Sequence, residues 1–172
     1  MKSIAMAVLL VICGGSLGWA QKGVAKIKGT AEGSAISGTV TFEETNKGLK
    51  IVAQLAGVPA GEHGFHIHEA GSCDDMGKAA GGHYNPLHHA HGDLVKQGFK
   101  KTHAGDMGNI TASADGKANL EVILPKQIGL SAGKYNVAGR AVILHEKVDD
   151  FGQPTGNAGG RIACGVIIIV NQ

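Results

Sequence analysis

Short runs in which apolar and polar side chains alternate, separated by turn residues, dominate this chain, and helical spacing of apolar positions is nearly absent. Runs at 24–28, 35–42, 49–55, 64–69, 109–114, 117–124, 135–146 and 162–170 read as strands. Asn46-Lys47-Gly48 supplies a turn between the second and third, and Asp115-Gly116 is a two-residue hairpin signal between the fifth and sixth. The 28 glycines fit a chain with many turns. Segments 70–107 and 147–160 carry no strand pattern, and stretches of that length in a compact domain are usually functional. The expectation is an all-β protein: a Greek-key β-sandwich or flattened eight-stranded barrel with two long functional loops.

The first 20 residues read as a signal peptide, leaving 21–172 as a single β-domain. Lys2 is the positive start, the apolar run from Ile4 to Cys13 is too short to span a bilayer, and Gly18-Trp19-Ala20 offers small residues for cleavage after Ala20. A buried N-terminal strand or helix is the alternative. Ile12 argues against lipidation at Cys13, being too large to precede a lipidated cysteine. Removing Lys2 takes the formal net charge from +2 to +1. That balance argues against nucleic acid or an anionic membrane as partner. No later segment approaches the roughly 18 consecutive apolar residues of a membrane-spanning helix. The chain is expected to be exported, periplasmic or extracellular. Cleavage also removes Cys13, and Cys73 and Cys164 then form one disulfide or remain two buried thiols; an oxidising compartment favours the disulfide.

The chemistry lies in the histidines. His66 and His68 sit two apart on a strand, so both point to one face with Cα atoms roughly 6.5 Å apart and can reach one metal ion. Alone, that pair is better explained by two ordinary surface histidines. His83, His91, His103 and Asp106 follow, and His145 ends another strand. An all-imidazole set suits copper or zinc, and three imidazoles with a carboxylate suit tetrahedral zinc.

These residues carry a resemblance. Gly64-Phe65-His66-Ile67-His68 resembles the copper-binding strand of the Cu,Zn superoxide dismutases. The segments Gly82-His83-Tyr84-Asn85-Pro86, His91-Gly92, the run from His103 to Asn109, and His145-Glu146-Lys147-Val148-Asp149-Asp150 follow in that family's order. The run from Gly156 to Val166 is similar to its C-terminal signature. The resemblance implies copper on His66, His68, His83 and His145, and zinc on His83, His91, His103 and Asp106, one of each metal per subunit, with His83 bridging. It implies that Asp149 hydrogen-bonds a ligand of each metal, and that Arg161 orients superoxide beside the copper. The implied activity is disproportionation of superoxide to oxygen and hydrogen peroxide. A metal-storage module or a sandwich with a structural metal would need neither Arg161 nor two ligand sets sharing a histidine.

Three histidines are left over: His63 reads as a turn or strand-edge residue, and His88 and His89 compete with His91 for zinc. The sequence also departs from the family in two places. Cys73 lies earlier in its loop than in the eukaryotic cytosolic form, and segment 151–155 is short, with Pro154 where a lysine usually precedes the matching threonine. Lys96, Lys100 and Lys101 either replace that lysine in steering the anion or are an ordinary solvated surface. Ile167, Ile168 and Ile169 make the last strand apolar on both faces, which implies a doubly buried strand or a surface for a homodimer; a monomer is the alternative.

Overall fold

The structure is a computed structural model that describes residues 20–131 and 133–170. The expected signal peptide, apart from Ala20, lies outside the described residues.

Eight antiparallel strands close into a barrel: β1 (Lys22–Gly29), β2 (Ser37–Thr45), β3 (Gly48–Ala56), β4 (Gly61–Ile67), β5 (Asp106–Ala112), β6 (Ala118–Leu124), β7 (Ala141–His145) and β8 (Arg161–Val170). Their order around the barrel is β1-β2-β3-β6-β5-β4-β7-β8. Two connections pass over intervening strands, β3 to β4 and β6 to β7, so that β3 pairs with β6 and β4 with β7, which makes it a Greek key. Among the described residues the helical ones are one 3-10 turn at Lys78–Ala80 and one α-helical turn, α1 (Leu94–Gln97).

Strand alternation fills the barrel. Ala25 and Ile27, Val40 and Phe42, Leu49, Ile51 and Ala53, Phe65 and Ile67, Ile110, Leu124, Val142 and Leu144, and Ala163 and Ile167 are buried in one cluster. Residues of opposite parity on β4 and β7 face outward: Gly64 lies under segment 146–160, and Ala141 and Ile143 lie under segment 68–105. A smaller outer cluster of Ala80, Ala141, Ile143 and Cys164 lies beneath the first segment, with Cys73 against it.

Two expected strand features differ from what is found. Segment 135–146 is a strand only from Ala141. The Ala138 N–H donates to the Asn136 side chain, and Gly139 takes a positive φ of 77°, so the chain turns where the apolar pattern reads as extended. The β5–β6 connection is also longer than two residues. The ladder ends at the Ala112–Ala118 pair, Ser113 N–H donates to Lys117 C=O, and Gly116 closes a turn on Ser113 with φ 78°. That is a three-residue loop ending in a left-handed glycine.

The strand order builds the site. β5, β4, β7 and β8 are consecutive neighbours, so Asp106, His66, His145 and Arg161 come side by side although they span most of the sequence. His66 pairs with Asp106 on one side and Ile143 on the other, and His145 pairs with Arg161. The register shifts at both places, between Gly64 and His66 and between Leu144 and His145. Such bulges often re-aim side chains beside a functional site.

Candidate metal centre

Two ligand groups meet at one histidine. His66, His68, His83 and His145 offer ring nitrogens within 4.8 Å of one another, and so do His83, His91 and His103 with Asp106. All seven side chains belong to residues no more than 6% exposed. The eight positions that the resemblance divides between copper and zinc, with His83 counted twice, are therefore brought together as two sets. His88 and His89 belong to neither set.

The hydrogen bonds decide which nitrogen of each ring is free. His68 Nδ1 donates to the Gly81 carbonyl at 2.9 Å, leaving Nε2, which lies 3.3 Å from His145 Nε2. His66 does the reverse: its Nε2 is 2.8 Å from Asp149 Oδ2, and its Nδ1 is buried with no partner. On the other side three Nδ1 atoms converge on Asp106. His83 and His103 lie 2.9 and 3.1 Å from Oδ1, and His91 lies 2.8 Å from Oδ2. His91 Nδ1 is nonetheless unpaired, being close to the carboxylate without aiming a hydrogen at it. With Nδ1 of His83 turned to Asp106, its Nε2 is left for the other group.

Buried polar atoms without partners are costly, and packed imidazoles sharing one carboxylate are a poor structural device. The arrangement fits cations placed between the free nitrogens. Three imidazoles with a carboxylate match zinc, and four imidazoles match copper.

Electrostatics keep His68, His83 and His145 ready for a cation. Burial lowers His68 to about 2, with His83 adding to it. Burial also lowers His83 to about 4 against the hydrogen bond to Asp106, and His145 to about 3, with His66 and His83 adding to it. Neutral rings keep a lone pair for metal. Burial opposes ionisation of Asp106 and Asp149. Hydrogen bonds from His103 and His83 to Asp106, with the His91 ring close beside it, and from His66 and His91 to Asp149, outweigh it and hold both below the usual carboxylate range. Burial would lower His91 too, but the adjacent Asp106 carboxylate and the bond to Asp149 raise it to about 9.

Asp149 is buried between the two groups. Besides His66 it meets His91 Nε2, 2.9 Å from each carboxylate oxygen, and its Oδ1 accepts from the Phe151 N–H. Such outer carboxylates fix the tautomer and angle of ligating imidazoles.

Arg161 is held by backbone. Nη1 donates to the Gly77 carbonyl and Nη2 to the Gly81 carbonyl, each at 2.5 Å, and Gly81 is also the acceptor for His68. Cys73 and Cys164 form a disulfide with Cα atoms 5.7 Å apart, tying the segment that carries Gly77 to β8. A cavity of about 540 Å³ opens beside Arg161, lined also by Thr30, Met76, Lys78 and Gly160.

The lysine cluster does not share this cavity. Lys96 is 2.8 Å from Asp93 and lies over the Phe151 ring, on the Asp106 side of the site. Lys78, which no sequence pattern singled out, is the basic residue beside Arg161.

His63 corrects its expected place. It lies within β4, 4% exposed, with ring nitrogens 2.9 Å from the His145 carbonyl and 2.8 Å from the Pro59 carbonyl. Either neutral tautomer therefore donates to one of these oxygens. Gly64 is the tight neighbour: a Cβ there would lie 2.9 Å from Ala158 and 3.1 Å from the His66 ring, so only glycine lets segment 146–160 pack this closely on β4.

The sequence model of the copper/zinc superoxide dismutases matches residues 36–167. Among curated proteins, the extracellular superoxide dismutase [Cu-Zn] of Caenorhabditis elegans is 39% identical over 142 residues, covering 78% of this chain and 62% of that protein. The chain thus spans less than two thirds of that relative's length. The extracellular superoxide dismutase [Cu-Zn] of Brugia pahangi is 37% identical over 144 residues, covering 78% of this chain and 70% of its own. Among solved structures, the crystal structure of the clock protein EA4 superposes with a TM-score of 0.77 at 36% identity, over 88% of this chain and 96% of that one.

Proposed function

The chain belongs to the copper/zinc superoxide dismutase family, and from that premise we propose that it disproportionates superoxide to oxygen and hydrogen peroxide. We assign copper to His66, His68, His83 and His145, and zinc to His83, His91, His103 and Asp106. The observation that carries the reading is His83, whose Nδ1 faces Asp106 while Nε2 is left for the all-histidine group. Neither a storage module nor a structural site needs one imidazole in both sets.

When bound, copper supplies one-electron exchange with superoxide, while redox-inert zinc supplies fixed positive charge. The chain supplies everything else. Arg161 holds the small anion beside the all-histidine group: its carbonyl contacts fix the guanidinium, and fixed donors cost little to organise. His83 holds or releases a proton at Nε2 as peroxide forms, with solvent making up the second proton. Asp149 keeps His66 and His91 in the tautomers that turn both Nδ1 atoms inward. Two superoxide ions and two protons thus give one dioxygen and one hydrogen peroxide.

We further propose that residues 1–20 are a signal peptide and 21–172 the mature domain. Both nematode relatives are extracellular by name, which supports export. Among the described residues no helix is long and apolar enough to cross a membrane. A homodimer is the proposed assembly: Ile168 and Val170 are exposed at 56% and 38% on the outer face of β8, where Ile168 pairs with Val24 of β1.

Replacing ligands one at a time tests the assignment. His66→Ala is expected to lose copper and superoxide removal together while keeping zinc, and His103→Ala to lose zinc first. Superoxide removal that survives the loss of copper contradicts the proposal.

A further inference from the structure

Among the described residues, three side-chain amides each grip one residue by its main chain, accepting from its N–H and donating to its carbonyl. Asn85 grips His89 at 3.0 and 2.9 Å. Asn109 of β5 grips Asp149 at 2.8 and 2.9 Å. Gln153 grips His91 at 3.0 and 2.9 Å. A planar amide set against the N–H and C=O of one residue reproduces the two-bond exchange of a strand neighbour.

The last of these is in the most consequential place. Among the described residues, no backbone–backbone hydrogen bond reaches His91. Both polar groups of its main chain go to Gln153. His91 itself is 4% exposed, so losing the amide would leave an N–H and a C=O short of partners next to the site. Asp149 fixes the far end of the His91 ring, but where Nδ1 finally lies also depends on where the main chain sits. The contact is tight around it. A Cβ at Gly156 would overlap the Asp149 carboxylate and lie 2.7 Å from His91 Nε2, and Gly156 has a φ of 76°.

We propose that Gln153 is a positioning residue for the zinc site, by which segment 146–160 sets the place of His91. This rests on the assignment of zinc to His83, His91, His103 and Asp106. It gives the short segment a role of its own: Asn109 holds the segment at Asp149, and the segment in turn holds the zinc ligand at Gln153. The all-histidine group has no such tie, so the effect is selective for zinc.

The test times the transfer of each metal from the fully loaded mature protein to a chromophoric chelator. Gln153→Leu keeps the size but neither bond. Gln153→Glu keeps an acceptor for the His91 N–H and sets a carboxylate against its carbonyl. Both are expected to release zinc about tenfold faster than wild type, the low end for partners of a metal ligand. Copper release stays unchanged, and cobalt placed in the zinc site shows an altered visible spectrum. Unchanged zinc release, or equal acceleration of both metals, overturns the role of Gln153. Zinc that Asp106→Ala fails to loosen overturns the zinc assignment itself, and this role with it.

Discussion

His66 Nε2 lies 2.8 Å from Asp149 Oδ2, joining residues 83 positions apart in a contact buried on both sides. Through that bond a residue in the second long segment dictates which nitrogen of a β4 histidine faces inward. Asp149→Asn keeps the shape but removes the charge, and its amide can turn only one oxygen to two N–H groups. Zinc affinity is expected to fall by about 10- to 100-fold, with His66 losing its fixed tautomer. Metal competition with a chelator measures it; an unchanged affinity contradicts the role given to Asp149.

The Arg161 guanidinium donates only to backbone carbonyls among its described hydrogen bonds, so its replacement leaves the ligand sets intact. Arg161→Ala is expected to lower the rate of superoxide removal about tenfold at equal metal content, as for one lost charge-assisted hydrogen bond. Arg161→Lys should recover part of it, since a point charge replaces a fork of donors. A rate unaffected in Arg161→Ala removes this residue from the mechanism.

The disulfide closes a separation of 91 residues. Cys73→Ser with Cys164→Ser is expected to cost about 4 kcal/mol in urea unfolding, mostly through the freer unfolded chain. Arg161 should feel it as well, because Gly77, its acceptor, lies four residues after Cys73. A loss well under 1 kcal/mol would mean that the loop is held by other contacts.

Acid should destabilise the metal-free protein before its carboxylates titrate. His68, His83 and His145 are held at about 2, 4 and 3, below the 6.5 of the unfolded chain. Below pH 6.5 the unfolded state therefore binds more protons, and stability falls with pH. Asp106 and Asp149, also lowered, add a further loss below about pH 4. His91 acts the other way: raised to about 9, its contribution is present below 6.5 and is lost as pH rises through 9. The urea midpoint of metal-free protein is expected to be lower at pH 5 than at pH 7. A higher midpoint at pH 5 contradicts the neutral state of these three rings.

How much of this was legible in the sequence depends on the range of the interaction. His66 and His68 are legible through two-residue spacing on a strand together with the histidines and Asp106 that follow, and eight runs of alternation suffice for the barrel. His63 shares that strand, yet its partners are carbonyls of Pro59 and, on the neighbouring strand β7, of His145. No local pattern encodes such a partner. Tyr135 to Ala138 reads as strand because turn formation there depends on an Asn136 side chain and on Gly139, not on apolar spacing. Gln153 is invisible for the same reason: an exposed glutamine in a short loop gains meaning only from His91, 62 positions away.

The most direct measurement is the decay of a superoxide pulse in the presence of mature protein carrying one copper and one zinc per chain. The account predicts fast, repeated removal, with one hydrogen peroxide and one dioxygen formed for every two superoxide ions and many turnovers per copper. Decay no faster than with the metal-free protein would contradict it.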